Sequence, residues 1–339
     1  MKAALYTGDK RLQICDVPTP EIGAADVLVK VAACGVCHTD LHYTDHGTPT
    51  AKKPPLILGH EISGTIELAG ASVKSLKTGD AVLIPAVLTC GSCSQCRNGR
   101  ENICENMTML GNHMDGGFAE FVRVPAKDLC KLPAELPLQD ACIIADALTT
   151  PYHAVINRAR VRPGETVVVI GCGGVGVNAV QLAASIGALV VAVDIDDAKL
   201  ETAKRLGASL AVNSKSPDAA KEIRKLAGGG ADVVFEIVGR PVTQDLALSV
   251  VRTGGRVLFV GYSPEPATLQ SGKIMFRELD VIGSLGCRPV DYPKVIELVR
   301  QKKVQLSPLI SSRFPLDRVN DAFDALRSGT VLRTIVTPN

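Results

Sequence analysis

Tryptophan is absent from these 339 residues, and aromatic side chains together make up only 4% of them. A pocket built by this chain is therefore expected to have aliphatic walls. An excess of charge is missing too: 37 basic and 35 acidic residues are interspersed and leave a formal net charge of +2. No basic field is available to hold nucleic acid or an anionic membrane, so the expected partner is a small molecule. Long apolar runs are lacking, and nothing approaches the length that spans a bilayer. The opening MKAALYTGDKRLQ reaches charge after too few apolar residues for a secretory signal. Internal repeats and low-complexity segments are also missing. What remains, 46% hydrophobic and 21% charged residues, has the proportions of a folded chain. Its length suggests about two domains, each with its own core, in a cytoplasmic protein.

Eleven cysteines are present. A reducing compartment keeps thiols free, so clusters of them point to metal binding or chemistry before disulfides. From residue 1 to about 147 the text is strand-like and punctuated by turns, as in VLVKVAACG, ISGTIELAG, AVLIPAV and AEFVRVP. From about residue 148 the pattern becomes strand, helix, strand: TVVVIG, VNAVQLAASIGA, LVVAVD, DAKLETAKRLGA, ADVVFEIVG, GGRVLFVG and LDVIGS. Short apolar strands alternating with amphipathic helices predict a parallel, doubly wound sheet. After about residue 286 come a helix in VDYPKVIELVRQKK, the segment RFPLDRVNDAFDALRSG and a last strand in TVLRTIVTPN, which could rejoin the first half.

Within VVVIGCGGVGVNAVQLA, Gly171, Gly173 and Gly176 stand in Gly-x-Gly-x-x-Gly register between a strand and a helix. The first permits a tight turn, the second a close approach to pyrophosphate, and the third close helix packing. A glycine turn without a ligand is the bland alternative. The next strand ends at Asp194, 18 residues past Gly176, where a carboxylate can accept from ribose hydroxyls and would repel a 2′-phosphate. NAD is thus expected over NADP, unless Asp194 is only a strand-end turn residue.

CGSCSQCRNGRENIC sets Cys90, Cys93, Cys96 and Cys104 within 15 residues. Four thiolates on one loop can close a tetrahedron around zinc and leave no open position, as a structural site requires. An iron-sulfur cluster is the rival, although the spacing lacks the trailing proline of ferredoxins. ACGVCHTDLH and LGHEISG form a second, dispersed set. Cys37 and His60 suit zinc, but a catalytic zinc needs a third ligand from elsewhere. A dithiol of Cys34 and Cys37 is the competing reading, and His60 alone would pass for a structural histidine. In CIIADALTTPYHAV one carboxylate, Asp146, ends an apolar run, which fits a surface turn, a helix cap or a bound cation.

Together CGVCHTD, GHEISG, the four-cysteine lobe, GGFAEFVRVP, GCGGVG and LRTIV make this sequence resemble the zinc-dependent medium-chain alcohol dehydrogenases over nearly its whole length. The resemblance implies an α/β fold. A GroES-like, mostly-β catalytic domain would cover residues 1–147, with a structural zinc lobe at about 88–106. A Rossmann doubly wound domain would follow over 148–285, and residues 286–339 would return to the catalytic domain. It also implies reversible hydride transfer between an alcohol and NAD, with one catalytic and one structural zinc per chain.

Position by position, Cys37 and His60 match catalytic-zinc ligands, and Glu61 the neighbouring acid that can approach the metal as an alternate ligand. Thr39 and His42 match the relay that carries the substrate proton to solvent, and Asp40 a partner that orients the ligand histidine. His38 matches a basic residue facing the cofactor pyrophosphate. Thr150, Gly174, Val175, Lys199, Gly261 and Arg333 match cofactor contacts beside the three motif glycines and Asp194. Asp146 falls in a frame, DALTTPYHA, where many relatives carry a cysteine ligand, and Cys142 stands four residues too early to replace it. Aspartate is a competent zinc ligand, and a helix-capping role is the alternative. Cys34 matches no ligand.

The resemblance leaves open a secondary or cyclic alcohol, a polyol or a hydroxyacyl thioester, and it suggests a homotetramer or a dimer. Two further readings use the same fold. A zinc-free quinone or enoyl reductase would lack both metal sets. A non-catalytic nucleotide-binding protein would not need Cys37, His60, Glu61 and the relay pair together.

Overall fold

The computed structural model describes residues 1–338. They fall into two compact units, one of residues 1–149 with 287 onward and one of residues 150–286. Among the described residues no helix is long and apolar enough to cross a membrane.

The first unit is built on a seven-stranded sheet. Its order is Cys130–Lys131, Ala81–Ile84, Glu61–Ala69, Asp26–Val36, Arg333–Thr337 and Ile310–Pro315, and Phe121–Pro125 also pairs with Asp26–Val36. Runs of valine and isoleucine suit this pleated, buried surface. Val27, Val29, Val31, Ile62, Ile66, Val82 and Ile84 supply much of the core. The helix Val319–Arg327 adds Val319, Ala322, Phe323 and Leu326, the spacing of one helical face, and Phe323 meets Phe118 edge-on at 5.6 Å between ring centroids. The last strand lies antiparallel to Asp26–Val36, with Thr334 opposite Val36 and Val336 opposite Cys34. The chain's end thus braces the strand that leads straight into Cys37.

A helix, His38–Asp45, follows that strand inside a stretch whose text reads as mostly β. HTDLHYTD offers no apolar stripe, because the one face it buries, Asp40, Leu41, Tyr43 and Thr44, is half polar. Its start is fixed by the Cys37 amide, which donates to Asp40 Oδ2 at 2.9 Å.

The second unit is a six-stranded, all-parallel sheet in the order Leu210–Asn213, Leu189–Asp194, Thr166–Ile170, Ala231–Glu236, Val251–Phe259 and Asp280–Gly283. Counting along the chain this is 3-2-1-4-5-6, the doubly wound order of dinucleotide-binding sheets. Val168, Ile170, Val191, Val193 and Val234 are buried, as central parallel strands require. The strand Thr166–Ile170 turns at Gly171, where φ is +94°, into the helix Gly176–Ile186. Open space surrounds the Cβ position of Gly173, whereas a Cβ on Gly176 would overlap the Gly171 carbonyl oxygen.

Gly176→Ala should therefore push the helix start off the turn. Overpacking of this kind costs about 1–3 kcal/mol. The expected result is a lower melting temperature and loss of the fluorescence change on adding NADH, while Gly173→Ala, which meets no protein atom, lowers nucleotide binding without a comparable loss of stability.

Candidate active site and metal centres

Two groups of metal-ligating side chains are assembled in the first unit, and in each the donor atoms lie within 4.8 Å of one another. The first consists of Cys90, Cys93, Cys96 and Cys104. Its sulfurs are 3.9 Å apart for Cys90 and Cys96, 3.9 Å for Cys93 and Cys104, and 3.5 Å for Cys90 and Cys104. Zinc–sulfur bonds of 2.3 Å at tetrahedral angles place sulfurs about 3.8 Å apart, so these thiols already have the spacing of a closed zinc site.

Backbone amides turn inward around them. Ser92 and Cys93 donate to Cys90 Sγ at 3.4 and 3.3 Å, and Cys90 and Asn106 to Cys104 Sγ at 3.3 Å each. The amides of Ser92 and Cys93 pull the Cys90 thiol down to about 5, so a thiolate is ready for a cation at neutral pH. Burial and the neighbouring Cys93 push Cys96 up to about 12, and a metal there would displace its proton. All eleven cysteines are free thiols.

The second group consists of Cys37, His60, Glu61 and Asp146. Three separate parts of the chain supply it. Cys37 follows the strand Asp26–Val36, His60 immediately precedes and Glu61 opens the strand Glu61–Ala69, and Asp146 follows the 3-10 helix Asp140–Ala145. Asp146 Oδ2 lies 3.7 Å from Cys37 Sγ and 3.6 Å from His60 Nε2. The carboxylate thus faces the thiol and imidazole. On the other side of the ring, Asp40 Oδ1 is 3.7 Å from His60 Nδ1. Both separations are too long for direct hydrogen bonds, and both ring nitrogens of this buried histidine lack a hydrogen-bond partner.

An unpartnered imidazole nitrogen that faces a thiol and a carboxylate is what a cation would satisfy. A thiolate, an imidazole and a carboxylate are also the donor types zinc accepts. Burial disfavours a charged His60, yet Asp40, Asp146 and Cys37 together hold its proton well above the usual histidine range.

Glu61 is fully buried, and burial pushes its carboxyl up to about 7 against the pull of Arg333. Arg333 Nη2 approaches Glu61 Oε1 to 2.9 Å as an ion pair without hydrogen-bond alignment, and its Nη1 donates to the Val36 carbonyl at 3.1 Å. At 2% exposure this arginine is the buried counter-ion of the cluster. Gly35 stands opposite Glu61 in the sheet, where a Cβ would overlap Glu61 Oε2, so glycine makes room for the carboxylate.

Thr39 Oγ1 lies 3.7 Å from Cys37 Sγ at the edge of the cluster, while His38 is exposed. His42 and His46 meet through their Nδ1 atoms at 3.0 Å. Partial burial and this neighbour lower the His42 imidazole. Cys34 and Cys142 are buried thiols raised well above the usual range, chiefly by burial, and neither belongs to the ligand group.

In the second unit Asp194 ends its strand with both oxygens engaged. Oδ2 accepts from the Cys172 amide at 2.6 Å, and Oδ1 from Ile195 and Asp196 at 2.8 and 3.0 Å. The carboxylate therefore ties the glycine turn to the strand end, and Oδ2, with one donor, keeps a lone pair for another, whereas Oδ1 already accepts two. Gly174 accepts at its carbonyl from Asn178, and Val175 precedes the helix, whose Val177 amide donates back to the Gly173 carbonyl. Lys199 is half-buried in the helix Asp197–Arg205. Gly261 follows the strand Val251–Phe259, where a Cβ would overlap the Gly239 amide. Thr150 belongs to the short helix Thr149–Tyr152.

Sequence reasoning passed over two contacts. His46 was legible only as the second histidine of HYTDH, and Tyr292, which donates to the Ala145 carbonyl beside Asp146, carries no motif at all.

These two groups separate experimentally. Asp146→Asn keeps the shape but removes the anionic oxygen, so metal analysis should find about one zinc per chain with the four-cysteine site intact and turnover down by orders of magnitude. Cys104→Ser should instead lose the other ion and lower the melting temperature. Near-normal turnover with two ions in Asp146→Asn would contradict the ligand role.

Residues 23–134 match the alcohol dehydrogenase GroES-like domain, and residues 174–301 match the zinc-binding dehydrogenase family. An alcohol dehydrogenase of Geobacillus stearothermophilus is 38% identical over 99% of each chain. Among solved structures, an NAD-dependent alcohol dehydrogenase superposes with a TM-score of 0.94 at 30% identity over 100% of both chains. A zinc-binding dehydrogenase of Sinorhizobium meliloti, solved with NADP, superposes with a TM-score of 0.92 at 32% identity over 99% of both. With its donor sets assembled and its whole length matched, the chain belongs to the zinc-dependent medium-chain alcohol dehydrogenase family and is an oxidoreductase of that family.

Proposed function

We propose that this protein oxidises an alcohol to a ketone or aldehyde, and catalyses the reverse, with NAD as hydride carrier. The observation that carries the reading is the convergence of Cys37, His60, Glu61 and Asp146 within 4.8 Å, three of them buried. Cys37, His60 and Asp146 would hold the catalytic zinc, with Glu61 as an alternate ligand. When bound, zinc supplies a Lewis acid that lowers the pKa of an alcohol hydroxyl toward neutrality.

The chain's own groups do the rest. Asp40 faces the far nitrogen of His60 and orients the ring. Arg333 offsets the buried negative charge through Glu61. Thr39 takes the hydroxyl proton, and His42 passes it on toward solvent. The glycine turn with Val175 and the helix start receive the cofactor pyrophosphate, and Asp194 receives the ribose hydroxyls. His38, Thr150, Lys199 and Gly261 are read as further cofactor contacts.

The scarcity of aromatic residues favours an aliphatic pocket and a secondary or cyclic alcohol, with polyols and hydroxyacyl thioesters as the other classes to assay. A panel of these alcohols with NAD, read at 340 nm as about one NADH per alcohol consumed, tests the reaction. No turnover of any of them by the protein carrying two zinc ions would sink it. We read the protein as a cytoplasmic homo-oligomer, a tetramer or a dimer, which light scattering decides.

The relay has a pH signature. His42 lies below the ordinary histidine value of about 6.5, so at neutral pH it is unprotonated and able to accept. Alcohol oxidation should fall as pH drops through that lowered value. Removing the like charge in His46→Gln lets the pKa of His42 rise, so the acid limb should move to higher pH, while His42→Gln should abolish the limb and slow turnover about 10²-fold or more. An acid limb unmoved in both variants would remove His42 from the relay.

Cofactor choice rests on Asp194. Wild-type kcat/KM should be higher with NAD than with NADP, and Asp194→Ala should narrow the ratio by about tenfold or more, as expected for a lost charge-assisted hydrogen bond. The variant should also bind NAD more weakly because the Cys172 amide loses its acceptor. A wild-type preference for NADP would overturn the assignment.

A further inference from the structure

We propose that Tyr292, 146 positions beyond Asp146 in sequence, is a positioning residue for the catalytic metal. Its hydroxyl would hold the peptide plane from which Asp146 hangs and so set the affinity and geometry of that one site. The inference rests on the reading of Cys37, His60 and Asp146 as zinc ligands.

A peptide unit is planar, so the Ala145 carbonyl and the Asp146 amide move as one body. That carbonyl accepts two hydroxyls, Tyr292 Oη at 2.7 Å and Thr149 Oγ1 at 2.9 Å. Thr149 donates locally, back by one helical turn. Tyr292 reaches in from the head of another helix, Tyr292–Arg300, which is anchored by buried Val295, Ile296 and Val299. The tyrosine is 3% exposed, so the bond is shielded from water, and its ring is fixed by its surroundings.

Asp146 needs such a hold. It sits between the 3-10 helix Asp140–Ala145 and the helix Thr149–Tyr152 and belongs to neither. From that position its Oδ2 must stay close to His60 Nε2 and Cys37 Sγ, and a rotation of the preceding peptide plane swings it away from both. Two hydroxyl donors converging on one carbonyl oppose that rotation. In Tyr292→Phe the Ala145 carbonyl keeps Thr149, so that buried acceptor is not orphaned.

The test uses the full-length, zinc-loaded protein. Tyr292→Phe is titrated with a chromophoric chelator that reports zinc release, and its visible spectrum is recorded after cobalt exchange. Partners of this kind typically account for ten- to a hundredfold in metal affinity. The four-cysteine ion should withstand the chelator as in wild type, whereas the second ion should leave at about tenfold lower chelator concentration and its cobalt ligand-field band should shift. Adding Thr149→Val should weaken that ion further.

A lower melting temperature with wild-type metal release and an unshifted cobalt band would make Tyr292 merely structural and overturn the proposal. If Tyr292→Phe does not fold, Thr149→Val alone loosens the same plane. Weaker retention of the second ion in that variant supports the proposal, and unchanged retention overturns it. Asp146→Asn, measured alongside, separates the two levels. If it retains the ion as tightly as wild type, the ligand reading and the proposal both fall. If it loses the ion while Tyr292→Phe does not, only the positioning role falls.

Discussion

The first unit is organised around an electrostatic problem. A thiol, an imidazole and two carboxylates converge within 4.8 Å, with Asp40 on the far side of the imidazole and a single arginine, Arg333, as buried counter-ion. Charges collected away from water are costly unless they are paired. Without a cation the set keeps protons, which is why His60 is held well above its usual range and Glu61 is pushed up to about 7. A divalent cation resolves the same problem by replacing those protons. Much of the surrounding architecture follows from this. Gly35 has no side chain because Glu61 occupies the space, Arg333 arrives on the final strand because the cluster needs a cation from outside its own loops, and the last strand is paired beside the segment that delivers Cys37.

The two metal-ligating groups solve different problems. Cys90, Cys93, Cys96 and Cys104 come from one short lobe whose own amides turn toward the sulfurs, so the loop carries its geometry with it and an ion there contributes to folding. Cys37, His60 and Asp146 are brought together only by the folded sheet and the 3-10 helix, so their spacing depends on distant contacts such as the hydroxyl of Tyr292. Damage to the lobe is therefore expected to appear first as lost stability, and damage to the dispersed set as lost chemistry.

Much of this was legible in the sequence, for physical reasons. The four-cysteine spacing is local, so nothing but a loop is needed to close a tetrahedron. The glycine register and the apolar strands before and after it state their own backbone requirements, and the parallel sheet follows. Asp146 could be aligned with a ligand position only through resemblance, since its two metal-facing neighbours lie 109 and 86 positions away, at Cys37 and His60. Other features were not legible. The helix His38–Asp45 lacks an apolar stripe because the face it buries carries Asp40 and Thr44 beside Leu41 and Tyr43. Arg333 was expected as a cofactor contact, and the structure places it against Glu61 and the Val36 carbonyl, a pairing made by strand order that no local pattern encodes. Asp194 was expected to face ribose, and its further duty of tying the Cys172 amide to the strand end appears only in the folded turn.

Anomalous diffraction from crystals of the zinc-loaded protein, measured at the zinc absorption edge, tests the central claim most directly. The account predicts two peaks per chain, one among the sulfurs of Cys90, Cys93, Cys96 and Cys104 and one bounded by Cys37 Sγ, His60 Nε2 and Asp146 Oδ2. A single peak in the four-cysteine lobe, with none between Cys37, His60 and Asp146, would contradict it.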